Sequence, residues 1–459
     1  MATFDAANTA TPHIAIVGGG ITGTVAAAQL SRLLPNAHIT LFDQGRGLGG
    51  RASHRRVVKA TGKVVAPDHS GESYFAWDHG AQFFRGDDAE FRETILQDWL
   101  DRGVAAAWAP KTAALGPDFF GVGGADARPV YCGVGGFHAL TSGAMAQLVA
   151  ERGDKLVVRS GVRVGGVERS GPRWTLRGVG GDAAIHDAKL DSRAVEAVRA
   201  AEPLGDFDAV VVTDASAAMD GWHRASAGLP AEFVETAAKR VADRVRVCLF
   251  TALVAFETKT ALDVDACTFD GTGGLWFAAK TSSKPGLETL EHETWTLVST
   301  PRWAADEVAR VPMRDATTGL FIPQDPSYLR EPATALLEAF EAAAATSLGS
   351  AALPKAAYLT AQRWGSAFPA PAAAAGRDDA GAGEHARDVA GTAYDAAPLE
   401  DFAGNFGARA TYGADDFCDG GASGLYYAGD FCSPRPPGVE AAALSARHAA
   451  VAIARRFGA

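Results

Sequence analysis

The sequence predicts an α/β fold, in which a parallel sheet is assembled from separated stretches of chain and an antiparallel-sheet domain is threaded between them. Three observations predict it. A strand, a glycine turn, a helix and a second strand follow one another near the start. A strand ending in Gly-Asp, followed by a small-residue helix, stands near the end. Between them lie long β-rich runs with alternating or continuous apolar character.

The chain has 459 residues, enough for two large units at roughly 150 or more residues each. With 47% hydrophobic and 21% charged residues it can bury a sizeable core. Its 43 basic and 54 acidic residues give a net charge of −11, which argues against nucleic acid or an anionic membrane surface as a partner. No apolar run reaches the ~18–20 residues of a membrane span. The five cysteines form no C-x-x-C pair, and no cluster among the eleven histidines has ligand spacing, so a disulfide scaffold, a zinc module and a metal centre are all disfavoured. Met1 to Pro12 lacks the basic start and apolar stretch of a signal peptide; a cytoplasmic protein is the expectation.

His13-Ile14-Ala15-Ile16-Val17 reads as a buried strand. Gly18-Gly19-Gly20-Ile21-Thr22-Gly23 follows at once and matches G-x-G-x-x-G, leading into a small-residue helix from Thr24 to Leu30. A second strand, His38 to Phe42, ends in Asp43. Each position has a physical task in a Rossmann-like dinucleotide site. Gly18 permits the turn, Gly20 lets the backbone approach a pyrophosphate, and Gly23 lets helix and strand pack closely. Ile21 and Thr22 place backbone N–H groups at the positive end of the helix dipole. Asp43 is placed to accept from ribose hydroxyls.

The next loop, Gln44-Gly45-Arg46-Gly47-Leu48-Gly49-Gly50-Arg51, is more than a plain NAD domain needs, and could wrap a second phosphate or a flavin edge. Near the other end, Gly424 to Ala428 reads as a strand closing in Gly429-Asp430. Pro436-Pro437-Gly438 then opens a helix from Val439 to about Arg456, whose first N–H groups could face the pyrimidine side of a reduced flavin.

These segments, with Asp78-His79-Gly80-Ala81-Gln82-Phe83-Phe84, Ser283-Lys284-Pro285-Gly286 and Arg363 to Pro369, resemble the renalase-like family of FAD-dependent oxidoreductases within the flavin amine oxidase superfamily. The resemblance implies a discontinuous FAD-binding domain of the GR2 type, formed by residues 12–87, 133–222 and 405–459. Residues 88–132 and 223–404 would form the substrate domain, with 368–399 a flexible insertion. It implies non-covalent FAD held by Gly18, Gly20, Ile21, Thr22, Gly23, Asp43, Gln44, Arg46, Gly50 and Arg51. Val164 would lie at the adenine, Gly429 and Asp430 at the ribitol, and Val439, Glu440 and Ala441 beneath the pyrimidine ring. Cys432 lies outside the family pattern for a covalent link and reads as a packing residue.

Val162 to Arg169 and Arg173 to Leu176 read as a hairpin, Phe207 to Thr213 as another buried strand. Val245–Phe256, Trp276–Lys280 and Thr294–Val298 read as the antiparallel sheet. Trp276, Trp295, Trp303 and Trp364 are either an aromatic substrate wall or core residues. The candidates for a direct part in the chemistry are Lys284, Trp364 and Trp276, although the resemblance implies that Ser283-Lys284-Pro285-Gly286 is a turn segment. His79 is expected to structure a loop. Thr61–Ser73 and Asp182–Leu204 read as excursions, the latter with a helical piece from Ser192 to Glu202. The resemblance implies a hydride taken from a small substrate, best a 2- or 6-dihydro isomer of NAD(P), with O2 as acceptor and H2O2 as product. A flavin amine oxidase or a carotenoid-type desaturase is the alternative, and a non-enzymatic flavin-binding module comes from a different class.

Overall fold

In the computed structural model, residues 11–66, 72–122, 128–180, 201–214, 229–241, 244–313, 322, 324–349, 352–371 and 416–459 are described. The predicted fold class is observed. A six-stranded sheet runs in the spatial order Leu156–Ser160, His38–Asp43, His13–Val17, Ala209–Val212, Leu425–Ala428, Phe417–Asp419. The first five strands are parallel, with Ile14 opposite both Ile39 and Ala209; the last is antiparallel. A parallel sheet is covered on both faces, which is why its strands read as continuous apolar runs rather than alternating ones.

One face packs against the helix Ile21–Leu33, the C-terminal helix Val439–Arg456 and the helix Ser142–Arg152, around Ile14, Ile16, Leu30, Leu41, Val211 and Leu444. The other face carries Ala15, Phe42, Val210 and Tyr427 and is covered by the strands Val162–Ser170, Arg173–Gly180 and Pro203–Phe207. The second large sheet is mostly antiparallel, in the order Ala356–Pro371, Arg244–Phe256, Thr294–Ser299, Leu275–Lys280, Ala266–Thr268, Thr112–Ala114. The helix Arg330–Ser347 packs Leu336 and Phe340 into its core, beside Trp295 and Phe269. A hairpin of His54–Val58 and Tyr74–Asp78 lies between the two units, its Val57, Phe75 and Trp77 packed on Leu253 and Ala255.

Several boundaries differ from the sequence reading. The first helix begins at Ile21, not Thr24, so Gly23 lies inside it. Pro203–Phe207 forms a third hairpin strand where an excursion was expected up to Leu204. The strand Ala356–Pro371 pairs with Arg244–Phe256 through Phe368, so the expected insertion does not start there; its remainder, and the helical piece expected from Ser192, lie outside the described residues. Phe91, Ile95, Leu96 and Trp99 pack into the core of the parallel sheet, although residues 88–132 were expected in the other unit. The helix Ala231–Arg240 likewise packs Phe233 and Ala237 against the parallel sheet's other face. Helix periodicity names an apolar face but not the sheet it meets. Trp108, Phe119, Val122 and Cys132, also within residues 88–132, pack in the antiparallel sheet's core as expected. No helix among the described residues is long and apolar enough to cross a membrane.

Candidate cofactor cleft and the wall beside it

The glycine turn is dictated by sterics. Gly18 has φ +104°, a conformation costly for any side chain, and a Cβ there would stand 2.4 Å from Thr213 Oγ1. At Gly23 a Cβ would stand 1.8 Å from Gly18 O, so the helix can lie on the strand only without one. Gly20 differs. A Cβ there meets nothing nearer than Gly49 O at 3.8 Å, and one on Gly50 nothing nearer than Gly20 Cα at 3.8 Å. Two glycine backbones thus face each other across open space, joined at one edge by Gly49 N–H donating to Gly19 O (2.9 Å). The helix starting at Ile21 has no side-chain cap and no acid in its first turn. The N–H groups at Ile21, Thr22 and Gly23 therefore leave the helix end open to an anion.

Asp43 closes the strand beside this turn. Its carboxylate accepts from Gly19 N and Gly45 N, each at 2.6 Å. Burial pushes its pKa up in spite of those two donors. Gln44 and Arg46 follow on an exposed loop. Gly161 N–H donates to Gly45 O (2.8 Å), which brings the start of the Val162–Ser170 hairpin beside Asp43. Val164 itself is buried in the core on that side.

The distant chain end meets this cleft through one ion pair. Arg51 Nη1 and Nη2 donate to Asp430 Oδ2 and Oδ1 at 2.8 and 2.7 Å, and Arg51 Nη1 also reaches Ala367 O at 3.3 Å. Asp430 is buried, whereas Arg51 keeps part of its surface. Both were read from sequence as cofactor contacts; the structure shows them holding each other across 379 positions of chain. Gly429 N–H donates to Ser445 Oγ (2.8 Å), whose hydroxyl donates to Asp416 O (2.6 Å), fixing the strand end on the C-terminal helix. Gly438 caps that helix at φ +146° with nothing within 4 Å of a Cβ and no side-chain cap, a second open helix end. Val439 and Ala441 are buried in its first turn. Glu440 points away to a different task, accepting from Asp87 N and Asp88 N at 2.6 and 2.9 Å. Cys432 is buried, with burial pushing its thiol pKa well up, and packs in the core behind Tyr427.

These residues fit an extended dinucleotide. Facing glycines leave room that a Cβ would fill, two helix ends lack caps, and a half-buried carboxylate, Asp43, stands at a strand terminus.

Beside the cleft, Lys284 is sealed. Its Nζ donates to Asp78 Oδ2 (3.0 Å) and Gln82 Oε1 (3.2 Å), and neither member of the ion pair has any exposed side-chain surface. Asp78 Oδ1 meets His54 Nδ1 (2.9 Å) and accepts from Phe137 N (2.7 Å). Burial would raise the Asp78 pKa; the Lys284 charge and the His54 hydrogen bond outweigh it and hold the carboxyl far down. Trp276 and Trp295 are wholly buried in the antiparallel sheet's core, so neither offers a face to a ligand here. Trp303 packs edge-on to Phe250. Trp364, half-buried like Trp303, meets the hairpin, its Nε1 donating to His79 O (2.9 Å) and its ring 5.4 Å from the His79 imidazole.

His79 was expected to structure a loop, and its carbonyl does so, accepting from Thr251 Oγ1 (3.0 Å) as well. Its imidazole is held well below its ordinary pKa, by burial first and then by the nearby Arg55 charge. Arg55 is the residue the sequence reading missed. Spacing along the chain did not single it out, since it lies next to another arginine, Arg56, on the strand His54–Val58.

A family model for an NAD(P)-binding Rossmann-like domain matches residues 16–99. Comparison with curated proteins finds no match. Among solved structures, a cyclohexylamine oxidase from Brevibacterium oxydans IH-35A is 13% identical, with 98% of this chain and 100% of that one aligned at a TM-score of 0.55. A reduced UDP-galactopyranose mutase is 13% identical, with 98% and 94% covered and a TM-score of 0.55. A protein assigned as a protoporphyrinogen oxidase, from Exiguobacterium sp. 255-15, is 12% identical over 97% and 99% at 0.53. At these identities the likeness is one of fold. The chain has the architecture of a Rossmann-like dinucleotide domain interleaved with an antiparallel-sheet domain, over its whole length.

Proposed function

We propose that this protein is an FAD-dependent oxidoreductase that takes a hydride from a small substrate. The observation that carries the reading is that two uncapped helix ends, behind Gly20 and Gly438, belong to chain segments joined by the Arg51–Asp430 ion pair. An NAD domain needs only the first of these; a longer cofactor with a second polar end uses both. In this reading Gly18, Gly20, Ile21, Thr22, Gly23 and Gly50 surround the pyrophosphate, with Asp43 and Val164 on the adenosine side and Gln44 and Arg46 flanking. Gly429, Asp430, Val439 and Ala441 serve the flavin end, with Arg51 held ready by Asp430. Glu440 serves indirectly, by fixing the turn at Asp87–Asp88 against the helix. The neighbours named as an amine oxidase and a protoporphyrinogen oxidase share this architecture and support the choice of cofactor.

FAD, when bound, accepts a hydride from a donor C–H and passes the electrons to O2, giving H2O2. The chain's own contribution is binding, orientation and exclusion of water. Lys284, sealed against Asp78 and Gln82, acts as a positioning residue for the Asp78–Gln82 segment, and Trp276 supports the sheet behind it. Trp364 and the neutral His79 line the substrate side. With no free base placed there among the described residues, a donor whose oxidation is driven by its own aromatisation suits the site. The finer reading is therefore oxidation of 2- or 6-dihydro isomers of NAD(P) to NAD(P)+. Amine oxidation is the second reading, favoured by the fold shared with cyclohexylamine oxidase.

Purified protein is expected to be yellow, with near-stoichiometric flavin. Asp43→Ala and Asp430→Ala are each expected to weaken flavin retention by about 1–3 kcal/mol, as for lost hydrogen bonds to buried partners. Colourless protein carrying NAD would overturn the cofactor assignment. Anaerobic mixing with 6-dihydro-NAD should bleach the flavin band, and bleaching by an amine alone would transfer the assignment to amine oxidation.

A further inference from the structure

Arg55 stands out because its charge is unmatched. Several other arginines are met by acceptors: Arg51 by Asp430, Arg435 by Asp88 and Asp416, and Arg363 by the carbonyls of Val311 and Ile322. Arg55 is half-buried, and among the described residues its one hydrogen-bond acceptor is the neutral amide oxygen Gln362 Oε1, at 2.7 Å. A guanidinium carries five N–H donors in a planar fork suited to a carboxylate or a phosphate. Leaving it in low dielectric without a counter-charge is costly, and burial lowers its pKa accordingly.

The surroundings set Arg55 beside an aromatic face. Gln362 and Trp364 are two apart on one strand, so they share a face. Ser53 directly precedes the strand that carries Arg55, and its Oγ lies 3.5 Å from His79 Nε2. His79 Nδ1, by contrast, is buried with no hydrogen-bond partner. Ser53 Oγ already donates to Gly50 O (2.6 Å), so it accepts from His79 Nε2–H, and Nδ1 of the neutral ring carries a lone pair; Arg55 is the donor left beside the half-buried face of Trp364. Gly80 ties the place to the cofactor cleft, since a Cβ on it would lie 2.1 Å from Arg51 O and 3.4 Å from Trp364 Cζ2.

We propose that Arg55, oriented by Gln362, forms a subsite for an anionic group, a carboxylate or a phosphate, carried by the substrate next to the Trp364 ring. The subsite rests on the proposed function only in assigning this wall to the substrate side. It repels an ammonium group by the same charge that attracts an anion.

Three ring compounds matched in shape test it by calorimetry on the purified protein: benzoate, phenyl phosphate and benzylamine. The expected result is binding of one or both anions and not of the amine. Arg55→Met should weaken the anion by about tenfold or more, as for a lost charge-assisted bond, and Arg55→Lys by less. Unfolding midpoints and flavin absorbance of the same samples show that each variant is folded and loaded. The proposal falls if neither anion binds, if benzylamine binds as tightly, or if Arg55→Met leaves anion affinity unchanged. Anion binding by a protein devoid of flavin would keep the subsite and overturn the cofactor reading instead.

Discussion

Replacing Lys284 with Met separates a structural cation from one that acts in chemistry. The Lys284 Nζ–Asp78 Oδ2 contact is 3.0 Å long, and both side chains are withdrawn from solvent. Removing the ammonium leaves Asp78 with two donors, His54 and Phe137 N–H, and an uncompensated buried charge. Breaking a buried pair in this way costs about 3–5 kcal/mol, and the two surviving donors place the expectation near the lower value. The double variant Asp78→Asn/Lys284→Met removes the stranded charge and should recover part of the loss. There is also a pH signature. Because the folded Asp78 pKa is depressed, its contribution to stability is present above the unfolded carboxyl value and is lost as pH falls through the folded one. Lys284→Met should therefore lose most near neutral pH and converge with the wild type in strong acid. Urea unfolding followed by tryptophan fluorescence reads the stability, and anaerobic single turnover reads the chemistry. An unchanged unfolding midpoint combined with a slowed reductive step would show that Lys284 acts on the substrate and that the sealed-network account is wrong.

Two further substitutions test the frame. Gly23→Ala puts a carbon 1.8 Å from Gly18 O, a backbone atom that can move only with the strand, so overpacking of about 1–3 kcal/mol or more and loss of flavin are expected; wild-type melting temperature and flavin ratio would refute the turn geometry. His448→Gln tests the clasp that fastens the C-terminal helix. His448 Nδ1 meets Asp416 Oδ2 at 2.7 Å and Nε2 meets Glu90 Oε2 at 3.1 Å, and the Asp416 hydrogen bond chiefly raises its pKa. A raised histidine stabilises fully below its unfolded pKa, and that gain disappears as pH rises through the folded value. The melting-temperature gap between wild type and His448→Gln should thus be largest in mild acid and shrink above neutral pH; a gap constant with pH would count against it.

The parts legible in the sequence are those decided by neighbours along the chain. Gly18, Gly20 and Gly23 were assigned three different tasks from spacing alone, and the positions where a Cβ is forbidden or free follow that division. The C-terminal helix runs from Val439 to Arg456, as its Pro-Gly opening and small residues indicated. What spacing cannot show is which distant group a charge will meet. Lys284 finds Asp78 from 206 positions away, and Arg51 finds Asp430 from 379. In both cases residue type announced a functional cation, while burial and partner, which only the fold supplies, decided its task. Trp276 failed for the same reason: an aromatic on a strand reads alike whether its face of the sheet meets a ligand or a helix.

The same long-range accounting bears on the choice between the two substrate readings. An amine reaches the site as an ammonium ion and must lose a proton before its C–H can be oxidised, which requires an acceptor for that proton and a wall that tolerates positive charge. The wall here has Arg55 unmatched by a carboxylate and Lys284 already neutralised by Asp78. His79 is kept uncharged, but next to Arg55 it is a poor place to gather a further proton, since each added positive charge in low dielectric opposes the next. A dihydronicotinamide dinucleotide makes the opposite demands. Its ring gains aromaticity on losing hydride and needs no base, and its phosphates supply the negative charge that Arg55 lacks. The electrostatics of one half-buried arginine thus favour the anionic donor more strongly than a fold shared at 13% identity favours the amine.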